Sequence, residues 1–147
     1  MNMMGSSPAG VRSRLVINVE LDDRSFLFPD GKTLSHIALQ ENDDGLVQLE
    51  GIFPFNETRL DPMIHALAPD DAKDFARAIL DAVYQGRTQH VLSDTVRIAI
   101  LFNPNGFVVK FGEERALKEV FLNSPAIIRL AQGILRLVDR MTAPPAH

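Results

Sequence analysis

From Leu15 the chain alternates: Leu15, Ile17, Val19 and Leu21 fall on one side, and Val16, Asn18 and Glu20 on the other. That period of two is the signature of a half-buried strand. After the turn residues "LDDR", Phe26 and Phe28 begin a second short strand that stops at "PDG". There proline presets one turn dihedral and glycine tolerates a positive one. A third run, Leu34 to Gln40, closes on "ENDDG", in which Asp44-Gly45 is a hairpin signal; a fourth runs from Leu46 to Phe53 and is weakened by Pro54. Short turns between four alternating runs predict an antiparallel meander.

The period then changes. Ala72, Phe75, Ala76, Ile79 and Val83 recur at helical spacing, with Lys73, Asp74, Arg77 and Asp81 on the opposite face. Pro69 suits the first turn, Asp70 and Asp71 complement the helix dipole, and Gly86 is placed to end the helix. Upstream, "DPMIHAL" reads as a helical turn begun at Asp61-Pro62. Alternation returns with Val96, Ile98, Ile100 and Phe102, and again with Phe107, Val109 and Phe111, around the Asn105-Gly106 turn of "NPNG". Such a turn predicts a hairpin. Glu114 to Leu122 reads as a helical segment, leading to Ser124 as an N-cap and Pro125 as a first helical residue.

The most regular stretch is "SPAIIRLAQGILRLVDRM", residues 124–141. Ile127, Ala131, Ile134, Val138 and Met141 form one stripe, widened by Leu130 and Leu137 on one edge and by Ile128 and Leu135 on the other. An arc this broad exceeds what one sheet face covers. Ile128 and Leu135 are therefore expected to meet the first helix or to lie at a subunit interface. Arg129, Arg136 and Arg140 share the polar side. "FARAILDAVY" (75–84) and "LAQGILRLVD" (130–139) follow a common order of apolar, small and polar residues. Duplication of a unit and convergent helix-on-sheet packing both produce such an echo.

These elements sum to an α+β fold: an antiparallel sheet of about six strands in the order β-β-β-β-α-β-β-α, with two main helices on one face. A length of 147 residues suits one domain, placed at 13–141, with flexible ends at 1–12 and 142–147. Cysteine is absent, which excludes disulfides and thiolate chemistry. No basic-then-apolar leader occurs at the start, and no run approaches about 18 apolar residues, so the expectation is a cytoplasmic protein without a membrane partner. The net charge of −4 means that nucleic acid would need a local basic patch.

No motif fixes a chemistry. His36, His65, His90 and His147 are scattered without metal-ligand spacing, so no metal or other cofactor is expected. His36 sits on a strand, His65 on an apolar turn, and His90 just before a strand. "ENDDG" lacks the ligand pattern of a calcium loop and reads as a turn. Ser93-Asp94 reads as a loop cap rather than part of a triad. The pairs Asp22-Asp23, Asp43-Asp44, Asp70-Asp71 and Glu113-Glu114 stand at turns and helix starts, where water keeps carboxylates charged. No catalytic residue is assigned, and an enzyme without a recognisable motif is the third and weakest reading.

Two binding readings remain. In size, acidity and element order, residues 25–141 resemble the class I chaperones of type III secretion, without their N-terminal helix and with an extra opening strand. That resemblance implies an adaptor or chaperone-like domain for a protein partner, and a homodimer is expected through the final helix or an edge strand, where apolar surface is left over. The expected interface is Ile128 and Leu135 with the row Arg129, Arg136 and Arg140. The alternative is single-stranded nucleic acid. Four strands followed by a helix resemble the order in PC4-like and Whirly-type domains, which implies stacking on Phe26 and Phe28 beside Arg12, Arg14, Arg24 and Lys32.

Overall fold

The computed structural model describes residues 15–21, 26–28, 32–52, 63–112 and 118–142. Of the ends expected to be flexible, 1–12 and 142–147, all but Thr142, the last residue of α2, lie outside them, as do Asp22-Asp23, Glu113-Glu114 and His147. Ten strands and two helices occur among the described residues: β1 (Val16–Glu20), β2 (Phe26–Phe28), β3 (Lys32–Thr33), β4 (His36–Glu41), β5 (Val47–Ile52), β6 (Met63–Leu67), α1 (Pro69–Gln85), β7 (Gln89–Leu92), β8 (Arg97–Asn103), β9 (Gly106–Phe111), β10 (Lys118–Leu122) and α2 (Ser124–Thr142).

The fold is α+β, but the strands form two antiparallel sheets rather than one. The first has four strands in the order β1-β4-β5-β6, and the second has six in the order β3-β2-β10-β9-β8-β7. The expected meander breaks because β2 and β3 leave it. β2 pairs with β10 from the far end of the chain, Phe26 opposite Phe121 and Phe28 opposite Glu119. Glu114–Leu122, expected to be helical, ends in strand β10, since Val120 and Leu122 face the core and the strand lies between β2 and β9. Met63–Leu67 of "DPMIHAL", expected to belong to a helical turn, is likewise strand β6, paired along β5, and Asp61-Pro62 lie outside the described residues. β7 also had no counterpart in the expected order. In each case a short apolar segment takes its structure from the strand beside it.

Local signals fare better where they are closed by their own side chains. Asn42 Oδ1 accepts from the backbone N–H of Asp44 (2.9 Å) and of Leu46 (3.0 Å), and Gly45 follows at φ 75°. This makes "ENDDG" the β4–β5 hairpin turn. The β8–β9 hairpin forms as expected, but its turn residues are Pro104 and Asn105, with Gly106 already paired to Asn103, whose Oδ1 accepts from Asn105 N–H at 2.9 Å. Gly86 ends α1 in the left-handed region at φ 61°. The N-cap of α2 is Asn123 rather than Ser124. Its Oδ1 accepts from Ala126 N–H at 3.0 Å, and its carbonyl takes the first helical bond, from Ile127 N–H, also at 3.0 Å.

The helices do not both lie on one face of one sheet. α2 crosses the inner face of the first sheet over β1 and β4, whereas α1 lies on β7 and β8 of the second, and the two helices pack side by side. Gly133 sets the approach of α2. A Cβ there would stand 2.9 Å from Leu39 Cδ1 and 3.3 Å from the γ2 methyls of Ile17 and Val19. The core is continuous from Val19, Ile37, Leu39 and Leu49, through Phe75 and Ile79, to Ile98, Ile100, Val109 and Leu122. Where the sheets meet, His65 of β6 stacks on Phe111 of β9, which meets Phe75 of α1 edge-on.

Candidate functional site

Helix periodicity decides what α2 leaves outside. Ile127, Leu130, Ala131, Ile134, Leu137 and Val138 are buried, and Met141 is half-buried. Of the two flank residues expected to mark an interface, Ile128 is half-buried and Leu135 is 38% exposed. Leu135 stands at an open concavity of about 420 Å³ whose lining also includes Lys73, Arg136, Val138 and Asp139. The start of α1 and the end of α2 supply these residues. Lys73 was absent from the expected set because nothing in the sequence says that the polar side of the first helix runs alongside the last turns of the second.

The three arginines separate in role. Arg129 Nη2 and Nε donate to the Glu20 carbonyl at 2.8 and 3.3 Å, tying the first turns of α2 to the end of β1. Arg136 lines the concavity, and Arg140 is exposed one turn further on. Lys73, Arg136 and Asp139 are all exposed, so water rather than a dry pocket surrounds their charges. That setting suits ion pairing around an apolar contact and offers no desolvated acid or base. The concavity accordingly has the chemistry of a contact surface: an aliphatic side chain among two cations and one carboxylate.

The residues of the nucleic-acid reading are less fully placed. Arg12, Arg14 and Arg24 lie outside the described residues. Phe26 and Phe28 are on β2, next to the short edge strand β3 that holds Lys32. The nearby outer side of the sheet carries Leu101, Val108 and Phe121, all half-buried, in register across β8, β9 and β10. Lys110, on the neighbouring row, pairs with Glu119 at 3.3 Å and so already has a carboxylate partner.

His65 and His36 make contacts within the fold. His65, expected on an apolar turn, is on β6 with its ring 4.4 Å from that of Phe111. Ser35 Oγ and His36 Nδ1 are 2.8 Å apart at the start of β4. His90 is exposed within β7 rather than before a strand. Ser93 Oγ accepts from the N–H groups of Thr95 (3.3 Å) and Val96 (3.1 Å), which is the expected loop cap. Among the described residues, no three His, Asp or Glu side chains are grouped to hold a metal ion, and no helix is long and apolar enough to cross a membrane.

No protein-family model matches this chain, and no curated protein matches it in sequence. A solved structure from work on SsgB, in which mutations correlate to longitudinal cell division during sporulation of Streptomyces coelicolor, aligns with 94% of this chain and 95% of its own. The identity is 14% and the TM-score 0.43.

Proposed function

We propose that this is a non-catalytic protein-binding domain of adaptor or chaperone-like type, which takes its partner on the exposed side of the helix pair. The observation that carries the reading is Leu135. It alone among the large aliphatic residues of the α2 stripe and its edges stands 38% exposed, and it does so between Lys73 and Arg136. An apolar anchor ringed by charges is how protein interfaces combine burial with orientation. Two cations beside it, with Arg140 a turn away, favour a partner segment carrying carboxylates next to an aliphatic side chain.

Photo-crosslinking in the native host tests the reading, with a benzophenone side chain placed at Gln132 on the exposed side of α2. A discrete adduct that disappears in the Leu135→Asp background supports it, and labelling without any discrete partner overturns it. Binding of the purified chain to a labelled oligonucleotide, weakening steeply as salt rises, would instead favour the single-stranded nucleic-acid reading.

A further inference from the structure

β7 ends the six-stranded sheet, and the phase of its hydrogen bonding shows what its free side offers. Ser93 N–H donates to the Val96 carbonyl at 2.9 Å, in register with the pairs Leu92–Arg97, Val91–Ile98 and His90–Ala99. Bonded and non-bonded pairs alternate along an antiparallel ladder. Val91 therefore exchanges hydrogen bonds with Ile98, while His90 and Leu92 turn their N–H and C=O groups away from β8. The next strand gives the same phase independently: Gly112 N–H donates to the Arg97 carbonyl at 2.8 Å, which directs the Arg97 groups toward β9.

Sheet edges are normally blunted by shortness, proline, bulges or inward charge. The opposite edge, β3, has two residues, one of them a lysine. β7 has four residues, Gln-His-Val-Leu, and none of these devices. The most exposed large apolar side chains among the described residues also gather around it. Tyr84 (85%) is in the last turn of the helix that leads into β7, Leu92 (68%) is its final residue, and Phe102 (49%) donates its N–H to Thr88 Oγ1 immediately before it.

We propose that a second copy of this chain pairs with β7 antiparallel about a two-fold axis at Val91, joining the two six-stranded sheets edge to edge. His90 and Leu92 then exchange backbone hydrogen bonds with Leu92 and His90 of the second copy. The exposed leucine is covered by the facing imidazole, and Val91 meets its own mate on the side continuous with the core. Charge argues for a second copy rather than an unrelated strand. Arg87 precedes β7 and Asp94 follows it, so reversing the direction of one copy brings each arginine within a residue of being opposite the other copy's aspartate. An isologous contact needs this kind of self-complementarity. The pairing leaves the concavity at Leu135 on a separate surface, and it does not depend on the protein-binding reading above.

Sedimentation velocity on the full chain tests it. The expected result is a monomer–dimer equilibrium at concentrations up to about 300 µM, a range in which even a weak self-association of the kind short strand pairing gives is visible. His90→Pro removes an N–H that no strand among the described residues uses, so the sheet tolerates it, and it should weaken the dimer by about tenfold or more. Arg87→Asp and Asp94→Arg should each weaken it, and the double exchange should restore it; these variants decide the matter if the proline variant fails to fold. Leu135→Asp should leave it unchanged. A monomer throughout, a trimer or larger ring, or a dimer indifferent to both the proline and the charge exchanges would overturn the proposal.

Discussion

The rings of His65 and Phe111 stack with centroids 4.4 Å apart and planes inclined by 21°, although one belongs to the last strand of the four-stranded sheet and the other to the middle of the six-stranded sheet. They hold the corner where the sheets meet, with Phe75 of α1 edge-on to Phe111 at 5.6 Å. Stacked aromatic pairs contribute about 0.5–1.5 kcal/mol beyond the area they bury. A double-mutant cycle with His65→Ala and Phe111→Leu should therefore show a coupling of about 1 kcal/mol in urea unfolding, and His65→Phe should retain most of the stability. Additive effects of the two substitutions would mean that the rings do not support one another.

At Gly133 α2 approaches the first sheet too closely for an unstrained Cβ, and its neighbours there cannot all give way. Leu39 is fully buried, and the Ile17 and Val19 methyls belong to β-branched side chains with stiff χ1 angles. Alanine would gain about 1 kcal/mol of helix propensity against an overpacking cost of about 1–3 kcal/mol. Gly133→Ala should thus be neutral to destabilising, and Gly133→Val should lose more than about 2 kcal/mol in chemical denaturation. A valine variant as stable as the parent would show that α2 can lift off the sheet freely.

Arg129 fastens α2 to β1 from the surface by donating two hydrogen bonds to one carbonyl oxygen, that of Glu20. The site is exposed, so the ordinary value of a charged hydrogen bond is cut by competition with water. Arg129→Ala is expected to cost about 0.5–1 kcal/mol, and Arg129→Lys, which loses the planar fork, nearly as much. Amide hydrogen exchange should quicken in β1 before it changes in β8 or β9. Equal quickening in both sheets would show that the arginine is not a local fastener.

Much of the secondary structure was legible because it is written in contacts close along the chain. The β4–β5 and β8–β9 hairpins are closed by the Asn42 and Asn103 side chains within their own turns. The helices carry enough periodic apolar residues that burial on one side follows from the period alone. Phe102 is the exception among the alternating residues of β8. It shares its side with buried Ile98 and Ile100 yet is 49% exposed, because it stands at the rim beside Gly86, beyond the reach of α1.

The candidate surface was legible by halves. Leu135 and Arg136 were readable as the edge of an oversized stripe and Asp139 follows them at helical spacing, but Lys73 joins them only through the packing of α1 beside α2. Arg129 looked equivalent to Arg136 and Arg140 on the helix, and only the nearby end of β1 gives it a different task.

What the amino-acid sequence determined by itself was local: which segments alternate, which wind, where turns are cheap, and that no cysteine chemistry is present. The tertiary structure decided how strands are shared. β2 and β3 leave the opening meander for β10, β6 and β10 are strands because β5 and β9 offer them hydrogen bonds, and the helices are divided between two sheets. The physical reason is that a strand satisfies its backbone polar groups on a neighbour that can be anywhere in the chain, whereas a helix satisfies them on itself.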